Sequence, residues 1–478
     1  MTVASSEFLI FAAIACIAYN LLRPLWWRKI TVLAANLFFL ASFSTSAKAF
    51  IPFAAFLVLG YICLRLIESS RTRYSFCGLI LLMVAVFVWL KKYTFLPGSS
   101  FLTFNYVTIG LSYIFFRILH LIIDAYNQNL NEDVGLLDYL NYTLNFTTLL
   151  AGPIQWYSDF AASQLAALRP WLNLKIVAEA AERIIIGFFK VRVLSKILFD
   201  IHQIAAYNLS GTQPLRVRMA TGAIMVVSYT FYLYFNFSGY TDLVIGVAHF
   251  IRLTLPENFD RPFSSLNFIE FWSHWHMTLS RWLKTYVYTP LVKTLMEHFP
   301  SKSADPFLGV IGFFFTFFLI GLWHGQSSEF VMFGFLQGLG VSMNKLYQIL
   351  MTMLFGRKSY KALAANTVYQ ALTRGLTFAW FTFTLLWFWS NWKELHTMAG
   401  MLGSGGIVAV AAIVWIGAVF GLAVWEAIRN GTLAIRWGNN PVILSPSVRT
   451  AWALALLIIV FIVSTISNTT MPILYQIF

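Results

Sequence analysis

The chain has 478 residues, of which 59% are hydrophobic and 11% charged, with a mean hydropathy of +0.71 and a formal net charge of +14. Soluble domains carry about 25% charged residues; a soluble chain of this size has no means of hiding so much apolar surface, whereas a bilayer accepts it. The positive charge does not point to nucleic acid, because the basic residues are spread over short connections and not gathered into a strip, as cations facing anionic headgroups would be.

A membrane-crossing helix needs about 20 mostly apolar residues. The first such stretch, 6–22, has no basic region before it, and its first charge is Glu7, so it reads as an uncleaved span and not a signal peptide. Further spans are predicted near 30–43, 49–64, 76–90, 104–123, 217–235, 306–323, 328–350, 371–391, 406–428 and 450–468. The stretches 136–151, 176–200 and 239–298 mix apolar residues with charges and read as tilted, re-entrant or interfacial helices. An all-α polytopic membrane protein with about 11–14 embedded helices is expected. Cys16, Cys63 and Cys77 lie in apolar segments without metal-ligand spacing; they read as packed small hydrophobes, and no metal site is expected. No Pro/Gly/Ser linker or internal repeat divides the chain, so 1–478 reads as a single membrane domain, and the missing inverted repeat weighs against a secondary transporter.

Orientation follows from the connections. Arg23, Arg28 and Lys29, then Arg65, Arg71 and Arg73, then Arg357, Lys358, Lys361 and Arg374, then Arg429, Arg436 and Arg449 form four basic groups, while the alternate connections and the tail SNTTMPILYQIF are poor in cations. The positive-inside rule places the basic groups in the cytoplasm and both termini outside.

Three segments hold polar residues that a lipid-facing helix would not carry, since an ionisable side chain at mid-bilayer costs roughly 2.5–3.5 kcal/mol. In FIEFWSHWHMTLSRWLKTYVYTPL, residues 268–291, helical spacing aligns Ser273, His276, Ser280 and Lys284 beside an aromatic stripe containing Trp275. That pattern fits the wall of a polar cavity and equally an interfacial amphipathic helix. In GLWHGQSSEF, residues 321–330, His324 follows Trp323 at a span end between Gly321 and Gly325, which permit close backbone approach or a helix break. Alone it reads as packing; in a dry cavity its ring suits a general base. In FNFSGYTDLVIG, residues 235–246, Asn236 and Asp242 sit among aromatics, and Gly239 is expected to break the helix. Asp242 fits a functional role and an ion-pairing one equally well.

The order SGYTD, NFDRPF, FWSHWHMTLSRWL and GLWHG, preceded by AGPIQWYSDFAASQL at 151–165, resembles the bacterial membrane-bound O-acyltransferases, including the alginate O-acetyltransferases and teichoic-acid D-alanyltransferases. The resemblance is detailed over roughly 100–350, with a motif-rich core at about 140–350. Two departures separate the chain from the alginate type: Ser273 and His274 replace an Arg before the Trp-His pair, and WLKTYVYTPLVKT replaces WLRDYLYIPLGGN.

The resemblance implies a ring of tilted helices around a central catalytic tunnel, in a bacterial cytoplasmic membrane. It implies His324 as the signature histidine and His276 as the second, with Asn236, Asp242, Trp275, Ser280 and Trp323 as candidate substrate contacts. The implied reaction moves an acyl group, acetyl first, from a cytoplasmic thioester such as acetyl-CoA to a hydroxyl of an extracytoplasmic polysaccharide or envelope polymer, with no bound cofactor. Tyr475, in the tail, is a candidate acyl relay to a partner transferase outside; an interfacial anchor is its plainer reading. D-alanyl transfer to teichoic acid, a transporter or flippase, and a scaffold subunit are the rival functions.

Overall fold

A lipid surround inverts the usual amphipathic pattern, and the first helix shows it. On Ser6–Leu21 the residues Ile10, Ile14, Ile17 and Leu21 form an exposed apolar stripe, while Phe8, Phe11, Ala12, Ala15, Cys16 and Tyr19 pack inward. In water such stripes would drive aggregation. The computed structural model describes residues 1–466 except 95, 99–101, 131–132, 166–171, 211–212, 435, 438–439 and 442–445. Among these residues the fold is helical, apart from a two-residue antiparallel pair at 436–437 and 440–441. Among the described residues five helices are long and apolar enough to cross a membrane: Ala47–Ser69, Arg73–Leu90, Asp305–His324, Trp392–Gly431 and Val448–Thr465. The expected all-α polytopic class is therefore the observed one.

The chain forms two compact units. The first comprises Met1–Arg192, Asn236–Glu257 and the described residues from Leu456; the second comprises Val193–Phe235 and Asn258–Ala455. At the centre of the first unit, the helix Leu111–Tyr126 is buried almost all round, and its Arg117 is held without a carboxylate. The Arg117 guanidinium donates to the carbonyls of Tyr142 (2.9 Å), Thr143 (2.8 Å) and Thr148 (3.0 Å), gathering the chain end of Leu136–Thr143 around itself. The irregular stretch 144–155, which ends in AGPIQ, is also buried, so its main chain must find partners within the protein. Tyr142 donates to the Gln155 carbonyl (2.7 Å), the Ala151 N–H donates to Tyr240 Oη (3.1 Å), and the Tyr157 N–H donates to His120 Nε2 (3.0 Å).

Glycines decide how closely helices approach. In the first unit a Cβ on Gly187 would lie 2.8 Å from the Gly239 carbonyl oxygen, and one on Gly239 would lie 2.8 Å from that of Gly187. Gly239 thus does not break its helix, which runs unbroken over Leu215–Phe250; it admits the helix Leu174–Phe188. In the second unit Asp305–His324 and Ser328–Ala364 form a tight hairpin. A Cβ at Gly321 would fall on the backbone of Gly334, and one at Gly338 would lie 2.6 Å from the Phe314 carbonyl oxygen. Gly334 and Gly338 make a GxxxG spacing, the small-residue seam that lets membrane helices pack backbone to backbone.

Three expectations need correction. Arg28 and Lys29 are not loop residues: the helix Leu25–Ala41 contains both, Arg28 is buried, and Lys29 pairs with Asp138 at 2.7 Å. The basic residues 357–361 continue the helix Ser328–Ala364 past a kink at Gly356, whose φ of 78° only glycine adopts readily. Cys77 is exposed on the sparsely buried span Arg73–Leu90, whereas Cys16 and Cys63 are buried.

The hairpin seam gives a direct test. Gly334→Val should destabilise the protein by about 1–3 kcal/mol or more through overpacking, read as a lowered thermal midpoint in detergent. Gly417→Ala, at a position where a Cβ meets open space, should leave the midpoint unchanged.

Candidate active site

Residues 258–260 are clasped against 274–277 by main-chain bonds. Phe259 and Trp275 form an isolated antiparallel bridge, the Asp260 N–H donates to the His274 carbonyl (3.0 Å), and the Met277 N–H donates to the Asn258 carbonyl (2.9 Å). This clasp interrupts the helix expected over 268–291. Phe268–His274 ends at an extended Trp275, His276 takes the left-handed conformation (φ 44°, ψ 51°), and Met277–Leu283 begins after it. The polar stripe read from helical spacing is accordingly dispersed: Ser273 and Lys284 are exposed, Ser280 is half-buried, and His276 is fully buried. A left-handed residue that is not glycine costs on the order of 1–3 kcal/mol and persists only where its surroundings over-determine it.

Those surroundings centre on Asn258, itself fully buried. Its Oδ1 accepts from the Thr278 hydroxyl (2.7 Å) and the Thr278 N–H (3.3 Å) and lies 3.2 Å from His276 Nδ1. Sequence reasoning did not single out Asn258, although it stands in the quoted NFDRPF motif. Its nearest functional partner is 18 residues away in the chain, and no periodicity connects the two.

Aromatic rings enclose the histidines. Trp275 packs on Phe271 and Phe381, with centroids 5.6 and 4.9 Å apart. The Trp323 ring lies 6.3 Å from that of His276 and 4.6 Å from that of His324. His324 is the last residue of its helix, is 2% exposed, and meets Phe388 at 5.2 Å and Phe333 at 5.9 Å. Gly325 ends the helix in an extended conformation, and a Cβ there would fall on the Phe330 ring, which packs on Phe388 at 5.6 Å. Trp275, His276, Trp323 and His324 thus share the second unit. Ser280 shares it too, with its Oγ 3.5 Å from the Trp275 carbonyl oxygen.

Asn236 and Asp242 belong to the first unit. Asn236 is fully buried. Asp242 receives Arg183 Nε at 3.1 Å and Lys190 Nζ at 2.7 Å, and the same Arg183 also donates to Glu257 (2.7 Å). This network ties Leu174–Phe188 and the turn after it to the helix Leu215–Phe250, which gives Asp242 a structural task. His274 faces Asp260 (3.6 Å), whose carboxyl the adjacent Arg261 guanidinium holds below the usual carboxylate range by hydrogen bonding. Among the described residues no group of three His, Cys, Asp or Glu is placed to hold a metal. Tyr475 lies outside the described residues.

With this constellation in view, comparison with known proteins is decisive: residues 79–388 match the membrane-bound O-acyltransferase family. The chain belongs to that family. It is an O-acyltransferase with a multi-pass helical membrane domain. It is 26% identical over 332 residues to the teichoic acid D-alanyltransferase of Bacillus subtilis, covering 67% of this chain and 79% of the relative. It is 26% identical over 377 residues to the peptidoglycan O-acetyltransferase of Helicobacter pylori, covering 71% and 68%. It is 30% identical over 241 residues to the probable alginate O-acetylase AlgI of Azotobacter vinelandii, covering 50% of this chain and 45% of that relative.

If the Asp242 network is structural, Asp242→Asn should lower the thermal midpoint by the equivalent of about 1.5–3 kcal/mol, the range for hydrogen bonds to charged groups. Acyl transfer per folded molecule should stay within threefold. A large fall in turnover at unchanged stability would instead place Asp242 at the substrate.

Proposed function

We propose that this O-acyltransferase moves an acyl group, acetyl in the leading reading, from a thioester donor such as acetyl-CoA on the cytoplasmic side to a hydroxyl of an extracytoplasmic polysaccharide or envelope polymer. It acts in a bacterial cytoplasmic membrane with both termini outside. His324 is the general base and His276 its partner. The observation that carries the reading is the pair of buried imidazoles, both packed near the Trp323 indole, in a chain of this family. The relatives' names span teichoic acid, peptidoglycan and alginate, three polymers that offer hydroxyls, and two acyl groups, acetyl and D-alanyl.

The step balances without a cofactor. His324 takes the hydroxyl proton as the oxygen attacks the thioester carbonyl; the C–O bond forms, the C–S bond breaks, and the imidazolium returns its proton to the thiolate. Products are an ester and a free thiol. One feature favours the imidazolium intermediate. His324 ends its helix, where the helix dipole favours a cation by about 0.3–1 kcal/mol, up to ~2 kcal/mol when partly buried. The aromatic enclosure also excludes water, which strengthens electrostatic interactions and protects the thioester from hydrolysis. Trp275, Ser280 and Trp323 are assigned to substrate contact beside the histidines, and Asn236 is assigned to it on the family motif alone.

Purified protein in liposomes, supplied with labelled acetyl-CoA or a D-alanyl thioester and a hydroxyl-bearing polymer, tests the reading. His324→Ala should lower transfer by about 10²–10⁴-fold, the usual contribution of a general base, with insertion and folding intact. Label moving from the D-alanyl donor alone would replace acetyl by D-alanyl; label moving from neither would sink the proposal. Tyr475 is proposed as an acyl relay to a partner transferase outside. Tyr475→Phe should then abolish delivery to the polymer, and unchanged delivery would remove the relay.

A further inference from the structure

We propose that Asn258 is a positioning residue that locks His276 in the tautomer with its proton on Nδ1, leaving the Nε2 lone pair as the nitrogen presented for chemistry. This rests on the proposed function for its catalytic meaning and on geometry for the tautomer itself.

The Asn258 amide orientation is fixed first. The atom facing Thr278 receives that residue's backbone N–H at 3.3 Å, and a backbone N–H can only donate, so the facing atom is the carbonyl oxygen and not the amide nitrogen. The same oxygen lies 3.2 Å from His276 Nδ1. A carbonyl oxygen cannot donate, so Nδ1 must carry the hydrogen. In a neutral imidazole the other nitrogen is then the acceptor. Rotation of the amide or the ring is resisted from several sides. The Thr278 hydroxyl adds a 2.7 Å bond to the same oxygen, the Asn258 carbonyl holds the Met277 N–H at 2.9 Å, and the backbone of His276 is set in its left-handed conformation.

Beside a general base, a second histidine has two roles open to it. It can accept a hydrogen bond, orienting the base or a substrate donor, or it can donate one to the negative charge that develops on the carbonyl oxygen. The Nδ1–H tautomer serves only the first, because its Nε2 has no hydrogen. Asn258 therefore assigns His276 an accepting role. It does for His276 what a buried carboxylate does for the histidine of a serine hydrolase, where loss of the correct tautomer costs about 10⁴ in kcat.

The experiment is solid-state nitrogen NMR of histidine-labelled protein in liposomes, with the His276 signal identified by its loss in His276→Asn, combined with pH–rate profiles of acyl transfer. The wild-type ring should show a protonated Nδ1 and an unprotonated Nε2. Asn258→Leu should mix the tautomers and lower kcat by about 10²-fold or more, with the KM for the thioester within about threefold. Asn258→Asp supplies an acceptor at the same point and should rescue the tautomer. Its negative charge should also raise the proton affinity of the ring, moving the acid limb of the pH profile upward. Thr278→Val, which removes only the hydroxyl bond, should keep the wild-type tautomer. A protonated Nε2 in the wild type, or an Asn258→Leu protein with unaltered ring signals and pH profile, overturns the proposal. Should Asn258→Leu fail to fold, the wild-type signals and the Asn258→Asp profile decide. Absence of acyl transfer in the wild type would count against the proposed function alone, since the ring signals report the tautomer without turnover.

Discussion

Hydrocarbon offers no hydrogen bonds, so any polar group or irregular backbone within this chain must find its partner in the protein itself. The Arg117 guanidinium, buried with no carboxylate partner among the described residues, is answered by three main-chain carbonyls. The coil carrying AGPIQWYSDF is stitched by tyrosine, histidine and glutamine side chains: Gln155 Nε2, for example, donates to the Thr254 carbonyl at 2.8 Å. In the second unit, Gln337 reaches Thr384 (2.7 Å) and Thr230 reaches Thr382 (3.1 Å), joining three helices through their interiors. The Asn258 clasp is the same solution applied where the chain breaks at His276. A broken helix is tolerable at that point because the Asp260 and Met277 N–H groups meet the carbonyls of His274 and Asn258 across the clasp.

Close packing follows a related constraint. Lipid tails are as apolar as leucine, so burying leucine against leucine gains little, and association depends on contact distance. That explains why glycines and not large side chains sit where helices cross, as at Gly187 with Gly239 and at Gly321 with Gly334. The Gly321 contact also fixes the depth of His324 three residues later. A side chain at Gly321 would push the two hairpin helices apart and move His324 relative to Phe333 and Phe388, both of which come from the chain beyond the turn. Stability and placement of the imidazole thus depend on the same missing methyl group.

The helical class and the spans near 49–64, 76–90, 306–323, 406–428 and 450–468 were legible in the sequence, because apolar run length is a local signal. The sequence did not disclose the break at Trp275 and His276. Helical spacing aligned Ser273, His276, Ser280 and Lys284 well, yet spacing assumes an uninterrupted helix, and the clasp by 258–260 is a tertiary contact. Gly239 was misleading for the opposite reason: its lack of a side chain suggests a break, while its use is a close approach invisible without the partner helix. The basic clusters at 23–29 and 355–374 looked like loops because cations were equated with connections. Arg28 is instead buried within a helix, and the helix through Gly356 carries its cations beyond the apolar part. Asp242 was ambiguous in sequence because its partners, Arg183 and Lys190, lie more than 50 residues upstream.

The two histidines differ in how they are held, and the difference bears on their division of labour. His324 meets the rings of Trp323, Phe333 and Phe388 and ends its helix. His276 Nδ1 lies 3.2 Å from Asn258 Oδ1, an atom that can only accept, so the ring is set by a directed hydrogen bond to that oxygen. A base must gain and lose a proton in each turnover, which suits the residue backed by a helix C-terminus, where the cation is favoured. An orienting group must keep one protonation pattern throughout, which suits the residue locked by Asn258. Trp323 contacts both rings, with centroids 6.3 Å from His276 and 4.6 Å from His324, so the proposed base and the proposed orienting group share one aromatic neighbour.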